Sequence, residues 1–324
     1  METVKCALCD SGRYKFLFKT QDYDWGLPGE FNIVKCRVCG LVYINPRPGK
    51  NELEKYYPDN YFHSIDNESS GKEIADSKIL QRRLKFVRKL SKTGKLLDVG
   101  TGTGLFIKMM ENEGWDSFGV EPNKTAAEFA GNKLGLEVYN GELTDSKLKE
   151  GQYDLITMWE VLEHIPESNE NLKEVYRLLK NNGMFIASVP NFNSLQRFLF
   201  GKRWYGLKAP THLYHFSPKT LRAILKKCGF TDIKIYHSLI NIKKPLPGYS
   251  DSLRYLLGDL KIISKRVNQP AGVQQRNFAV KRNKIKSLLV ALLHTAEFLI
   301  FSAIELTGYL LGMTATLFVT AKKK

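Results

Sequence analysis

KLLDVGTGTGLF, residues 95–106, runs a short apolar stretch into glycines at alternate positions. KLLDV has the length and apolar content of a strand buried on both faces, and LFIKMMENEG after the turn has the spacing of an amphipathic helix. Strand, tight glycine turn and helix are how α/β proteins hold a nucleotide-like ligand. The dinucleotide fingerprint asks for glycine at its first, third and sixth places. Here the glycines are Gly100, Gly102 and Gly104, and Leu105 stands sixth. Alternate glycines let the backbone touch a ligand that has no pyrophosphate. Asp98, at the end of the strand, would repel a pyrophosphate and favour a ligand carrying positive charge.

Outward from this stretch, apolar strands alternate with helices of about ten residues. KLLDVG, DSFGVEP, LEVYNGE, YDLITMWEVLEHI and MFIASVPN read as strands running into loops. KTAAEFAGNKLG, NENLKEVYRLLKNNG and SPKTLRAILKKCGF read as helices, and TDIKIYHS as a further strand. This alternation predicts a parallel, doubly wound α/β sheet. NNGMF and KKCGF look like helix ends with glycine in a left-handed cap. Glu121 ends the second strand, 21 residues after Gly100, where a carboxylate can take both hydroxyls of a ribose. Glu142 and Leu143, after the third strand, are placed to meet an adenine edge.

The 324 residues can bury one α/β core and an accessory module. The net charge is +16, with 96–175 neutral to acidic and 197–286 strongly basic. That asymmetry suits an anionic partner: a phosphorylated substrate, lipid headgroups or nucleic acid. METVKCALCD lacks the apolar core of a secretory signal, so the expectation is a cytoplasmic chain. CALC and CRVC, separated by 26 residues, offer Cys6, Cys9, Cys36 and Cys39 as two knuckles of one tetrahedral zinc site. Iron in a rubredoxin-like site and plain reduced thiols are the alternatives. YKFLFKT and FNIVKC read as strands, making residues 1–45 a small metal-held ribbon.

Taken together, LLDVGTGTG, GVEP, YDLITMWEVLEHIP and LLKNNGMFIASVPN resemble the class I S-adenosylmethionine-dependent methyltransferases. The resemblance implies a Rossmann-like seven-stranded sheet closed by an antiparallel last strand, here TATLFVTAKKK. It implies a cofactor, S-adenosylmethionine, lined by Asp98, Gly100, Thr101, Gly102, Glu121, Pro122, Glu142, Leu143, Met158 and Trp159, with Tyr61 of YYPDNYF over the methionine end. The N-terminal cysteine module resembles a subgroup found among bacterial enzymes of sugar and polysaccharide modification. The implied acceptor is a sugar, nucleotide-sugar or lipid-linked glycan; nucleic acid is the weaker alternative, and a non-catalytic scaffold the third. The implied layout is 1–45 ribbon, 46–92 linker and lid helices, 93–237 cofactor-binding core, 238–313 basic and amphipathic insertion, 314–324 closing strand.

EVLEH supplies the chemistry at the carboxyl edge of the fourth strand. On a helical turn Glu160, Glu163 and His164 would share a face. His164 is a candidate general base, because its ordinary pKa lies near working pH. The same three residues, joined by a histidine of THLYHF, resemble the divalent-metal cluster of small-RNA and ubiquinone-pathway O-methyltransferases. Otherwise the glutamates cap a helix and the histidine packs. His212 either reaches over the acceptor pocket or packs in a strand-like turn with His215 and Tyr214. SLQRFLFGKRWYGLKAP mixes Arg197, Lys202 and Arg203 with Phe198, Phe200, Trp204 and Tyr205, as a substrate lid or an ordinary amphipathic helix. Cys228 reads as a buried thiol. Residues 287–312 are long enough to span a bilayer, but His294, Glu297 and Glu305 wind into one polar stripe. An interfacial helix on the inner membrane face, a partner-covered helix and a core helix stay open beside the spanning one.

Overall fold

A computed structural model describes residues 1–57, 78–237, 251–253, 255–256 and 299–324. Tyr61, His294 and Glu297 lie outside the described residues, as does most of the 238–313 insertion.

The N-terminal sheet begins with β1 (Tyr14–Gln21), β2 (Glu30–Cys36) and β3 (Val42–Ile44). The central sheet holds β4 (Lys95–Val99), β5 (Asp116–Glu121), β6 (Val138–Asn140), β7 (Tyr153–Trp159) and β8 (Leu179–Pro190). A two-residue strand, β9 (Tyr214–His215), leaves the core and pairs with β3, so the N-terminal sheet has the order β1-β2-β3-β9. β10 (Thr231–His237) and β11 (Thr316–Lys322) complete the central sheet, ordered β10-β11-β8-β7-β4-β5-β6. β4 to β8 pair in parallel, and β11 runs antiparallel between β8 and β10, with Thr316 opposite Pro190 and Lys322 opposite Met184. This is the α/β methyltransferase-type sheet: seven strands, mostly parallel, one reversed.

Among the described helices are α1 (Lys78–Arg88), α2 (Leu105–Asn112), α3 (Lys124–Leu134), α4 (Ser168–Leu178), α5 (Leu195–Phe200) and α6 (Pro218–Lys227). Successive strand side chains point to opposite faces, which sorts the core in two. Leu96, Leu155 and Ile186 pack with Leu84, Val87, Phe106 and Met110 of α1 and α2. Leu97, Ile156 and Phe185 pack with Leu172, Val175, Leu221 and Ile224 of α4 and α6. Both sheet faces are thus buried, which is why the strands read as nearly unbroken apolar runs.

Cys6, Val34, Cys36 and Tyr43 of the N-terminal sheet belong to the same apolar cluster as α4 and α6. The Asn169 amide and Lys227 Nζ both donate to the Ala7 carbonyl, and the Arg47 guanidinium donates to the Pro166 carbonyl and the Tyr214 hydroxyl. The ribbon is sewn into the core along its full width.

Two helix ends differ. Gly229 takes the left-handed cap after α6, at φ 97°. The cap expected at NNGMF does not form: α4 passes directly into β8 at Leu179, and the left-handed residue is Asn182, at φ 63°, inside the strand.

Candidate active site

β4 delivers the glycine turn at the carboxyl edge of the sheet, where α/β folds bind ligands. Gly100 N and Thr101 N donate to the Val120 carbonyl at 2.8 and 3.2 Å. Gly100 sits at φ 70°, and a Cβ there would lie 2.6 Å from Val161 Cγ2. Gly104, at φ 78°, would press on Leu136 at 2.5 Å. Neither position accepts a side chain, and the turn keeps a bare backbone. Glu121 braces it from β5: Oε2 accepts from Gly102 N at 2.7 Å and Oε1 from Asn123 N at 2.9 Å. Asn123 in turn caps α3, its side chain accepting from Ala126 N at 3.0 Å.

Asp98 is buried at the end of β4, and its Oδ1 accepts from Thr157 Oγ1 at 2.5 Å. Arg83 of α1 brings positive charge to Asp98 and Glu160, its guanidinium 5.2 Å above the Trp159 ring. Arg83 was not legible as a site residue. Its signal is a cation beside the Leu80, Leu84 and Val87 stripe of α1, a pattern that surface helices share. Thr101, Leu143, Met158 and Trp159 are buried around this edge, while Pro122 is exposed. Glu142 precedes a 3-10 turn, Leu143–Asp145, and pairs with Lys50 Nζ at 3.5 Å.

Burial pushes the carboxyls of Asp98 and Glu121 up to about 6 each. Their folded pKa values stand above the unfolded ones, so the folded chain holds these protons more tightly. The stability they contribute is present below about pH 4 and lost as the pH rises through about 6. Denaturant titrations of the ligand-free protein should show stability falling by about 2 kcal/mol between pH 5 and pH 7, roughly 1 from each group. An Asp98→Asn, Glu121→Gln variant should flatten that fall. An equally steep fall in the variant would assign it to other groups.

The EVLEH segment departs from expectation. Residues 160–167 form turns, and α4 begins only at Ser168, so no helical face gathers the three side chains. The residue before α4 is Glu167, so neither Glu160 nor Glu163 caps it. Glu160 occupies the left-handed region at φ 58° and its amide donates to the Ser188 carbonyl. The chain thereby turns Glu163 and His164 inward, toward His212 from the loop before β9. Glu163, His164 and His212 present ligand-type atoms within 4.8 Å of one another; Glu160 is not of that group.

Glu163 is 1% exposed, and neither of its carboxyl oxygens has a hydrogen-bond partner. Burial, then the Glu160 charge, raise its pKa well above the carboxylate range. His212 Nδ1 donates to the Gly206 carbonyl at 3.0 Å, which leaves Nε2 as the acceptor, 4.0 Å from Glu163 Oε1. Its pKa is pushed well down by burial, then by His164. His164 Nδ1 shares a 2.8 Å hydrogen bond with the Tyr57 hydroxyl, from the same YYPDNYF motif as Tyr61. Burial brings His164 down to about 3. Burial thus favours the neutral imidazole, the form in which a histidine can accept a proton or ligate a cation. A dry carboxylate facing two neutral imidazoles, one oriented by a backbone carbonyl, is the donor set a divalent cation takes.

The proposed lid turns inward at two of its residues. The Arg197 guanidinium lies over Phe192 and Phe18, at 4.7 and 5.0 Å, and Trp204 is buried with its Nε1 donating to Gln196 Oε1 at 2.8 Å. Tyr205 and Lys208 remain beside a small, partly open pocket shared with Tyr23, Asp24 and Tyr255. The Tyr23 and Tyr255 rings stack at 5.3 Å, and Lys208 Nζ pairs with Asp24 at 3.7 Å. The same loop holds His212, whose amide donates to the Lys208 carbonyl at 3.0 Å.

At the far end of β2 the four ribbon cysteines converge, with Cys6 Sγ 3.4 Å from Cys39 Sγ and Cys9 Sγ 3.4 Å from Cys36 Sγ. Asp10 and Gly40, each following a C-x-x-C pair, take matching left-handed turns at φ 58° and 84°. Burial raises the Cys36 thiol, but the amides of Cys39 and Val38 outweigh it and bring it down to about 7. Cys228 is buried.

Residues 72–235 match the family model described as a methyltransferase domain. A ubiquinone biosynthesis O-methyltransferase of Bordetella avium is 31% identical over 163 residues, covering 45% of this chain and 67% of the relative. One of Ruegeria sp. is 30% identical over 152 residues, covering 43% and 61%. The chain thus spans about two thirds of these relatives or somewhat less. Among solved structures, a SAM-dependent methyltransferase of Archaeoglobus fulgidus shares the fold, with 18% identity, a TM-score of 0.50, and coverage of 82% of this chain and 100% of that one. The glycine turn, the reversed strand of the sheet and these matches together place the chain in the methyltransferase domain family, as a class I S-adenosylmethionine-dependent methyltransferase.

Proposed function

We propose that this enzyme O-methylates a hydroxyl of a small-molecule acceptor, and that the acceptor is a sugar, as nucleotide-sugar or lipid-linked glycan. The observation that carries the O-methylation is Glu163, a buried carboxyl group without a hydrogen-bond partner that faces His164 and His212. The names of the curated relatives, O-methyltransferases of ubiquinone biosynthesis, support the same atom as target. The sugar reading is favoured by the tyrosine faces and the Lys208–Asp24 pair beside the His212 loop, which suit a polyhydroxylated ring.

Gly100, Thr101 and Gly102 offer the bare backbone and Glu121 the ribose-binding carboxylate, with Asp98, Pro122, Glu142, Leu143, Met158, Trp159 and Tyr61 completing the proposed cofactor lining. S-adenosylmethionine supplies the methyl group and its sulfur leaving group when bound. The chain must align the acceptor oxygen, exclude water and take up its proton. Glu163, His164 and His212 would do this as the ligands of a divalent cation, which lowers the pKa of a hydroxyl bound to it. His212 Nε2, with its lone pair kept free by the Gly206 carbonyl, is the alternative proton acceptor. Cys6, Cys9, Cys36 and Cys39 would hold structural zinc, and reduced thiols of this kind fit a cytoplasmic enzyme.

The test combines acceptor and cluster. With methyl-labelled S-adenosylmethionine, label should enter the nucleotide-sugar or lipid-linked saccharide fraction of a cell extract; label confined to RNA would overturn the sugar reading. Glu163→Gln should lower kcat about 30-fold with little change in cofactor Kd, and a chelator should mimic it. Wild-type turnover in Glu163→Gln would remove the cluster from the chemistry.

A further inference from the structure

Residues 299–310 form a helix whose polarity is inverted for a surface in water. Its inner positions, Phe301, Glu305 and Gly308, recur at the spacing of one helical face, and they are buried. Its one carboxylate lies on that inner face: Glu305 is 3% exposed and accepts from the Ala315 amide. The polar stripe expected from the sequence therefore does not reach solvent at Glu305. Leu299, Ile300, Leu306, Tyr309, Leu310 and, just beyond, Leu311 face outward, with Leu310 75% and Leu311 63% exposed.

α5 extends the same surface. Leu195 N donates to the Met313 carbonyl at 2.9 Å, a Cβ on Gly308 would lie 3.6 Å from that of Leu195, and the Phe200 and Phe301 rings stand 6.3 Å apart. From α5, Phe198 (77% exposed) and Leu199 point outward. Of the thirteen exposed large apolar side chains among the described residues, eight are on these two neighbouring segments. Scattered single exposures are ordinary; such a concentration marks an interaction site.

Charge identifies the occupant. Residues 260–286, which precede this helix in the sequence, carry eight cations and no carboxylate, and SLLVALL follows at once. An apolar face joined to a polybasic stretch is the two-signal pattern of peripheral attachment to anionic lipid. Among the described residues no helix is long and apolar enough to cross a membrane. We propose that the face formed by α5 and residues 299–311 seats on an anionic bilayer, its apolar side chains entering the headgroup boundary, with the basic sequence of 260–286 selecting anionic over neutral lipid. α5 leads directly into Trp204 and Tyr205, so the seated face would put the Tyr205 and Lys208 pocket close to the lipid surface.

Flotation of the full chain with vesicles tests this. Vesicles of phosphatidylcholine with about 30% phosphatidylglycerol should carry the protein, and pure phosphatidylcholine vesicles should carry at least about tenfold less. The Phe198→Asp, Leu310→Asp double variant alters two side chains that already face solvent, so its melting temperature should stay unchanged while partitioning to the anionic vesicles falls at least about tenfold. Phe16→Asp, at an exposed apolar site on β1, should float like the wild type. Wild-type flotation of the double variant would overturn the proposal. So would a dimer in vesicle-free sedimentation that the double variant abolishes, since a second copy would then be the occupant.

Discussion

Replacing Glu121 by alanine should weaken binding of S-adenosylmethionine roughly 100-fold or more while leaving the fold in place. Glu121 does two jobs at once. Its two oxygens accept the amides of Gly102 and Asn123, fixing the turn against the start of α3, and the same carboxylate ends β5 where a ribose would lie. Each charge-assisted hydrogen bond of this kind contributes about 1.5–3 kcal/mol, so two lost to the ligand or to the loop that cradles it amount to two to four powers of ten in Kd. Stability should change far less. The wild-type carboxylate already carries a burial penalty, seen in its rise to about 6, and its removal relieves that penalty as it strands two amides. The turn is also wedged by packing, Gly100 against Val161 and Gly104 against Leu136, which the substitution does not touch. Calorimetric titration with the cofactor, beside a thermal melt, separates the effects. A Kd within threefold of wild type would take Glu121 away from the ribose.

The sheet was legible because its signal is local. Each strand of the parallel half is an apolar run followed within a few residues by a turn and a helix, and KLLDVGTGTGLF contains all of those in sequence order. What was not legible depends on contacts distant in the chain. Nothing in THLYHF marks Tyr214 and His215 as the fourth strand of a sheet built from residues 14–44, because a two-residue strand has no periodicity. Glu163 and His164 were found by motif, but a helical turn was the wrong local structure. Glu160 adopts φ 58°, a conformation non-glycine residues rarely take, and propensity favours the commoner alternative. The aromatic and basic residues after Ser194 could equally face a substrate or the protein; Arg197 turns to Phe18 of the ribbon and to Phe192, and Trp204 to Gln196 of α5.

These long-range contacts tie the ribbon to the segments that carry the proposed Glu163, His164 and His212 cluster. Ile44 of β3 donates to the Leu213 carbonyl, one residue from His212. The amides of Leu213 and Tyr214 both donate to the Glu163 carbonyl, at 2.9 and 3.2 Å. Arg47, a few residues along from the second cysteine pair, ties the Pro166 carbonyl to the Tyr214 hydroxyl. The peptide that carries Glu163 is therefore held between the ribbon and the core, whereas the glycine turn rests on β5 and α3.

That division predicts an unequal response to loss of the zinc proposed for the ribbon. A Cys36→Ser variant should fail to retain zinc and should lose turnover at least 100-fold, while its Kd for S-adenosylmethionine stays within threefold of wild type. The size follows from the energetics of small metal modules. Structural zinc supplies about 10–16 kcal/mol of apparent binding free energy in isolated fingers, comparable to the 5–15 kcal/mol that holds a whole domain folded. Three short strands and a few buried side chains cannot replace it, so β1 to β3 should loosen when the thiolates have nothing to bind. β9 then loses its partner strand β3, and His212 and Glu163 lose the pairing that fixes their spacing. A displacement of about 1 Å at such a cluster costs on the order of 100-fold in rate. The central sheet, with its own two-sided core, should still fold and still bind cofactor. Metal analysis, cofactor titration and turnover on the same preparation read the three quantities together. Full turnover by a chain stripped of metal at Cys6, Cys9, Cys36 and Cys39 would cut the proposed link, and an equal collapse of cofactor binding would show that the two halves of the site are not separable in this way.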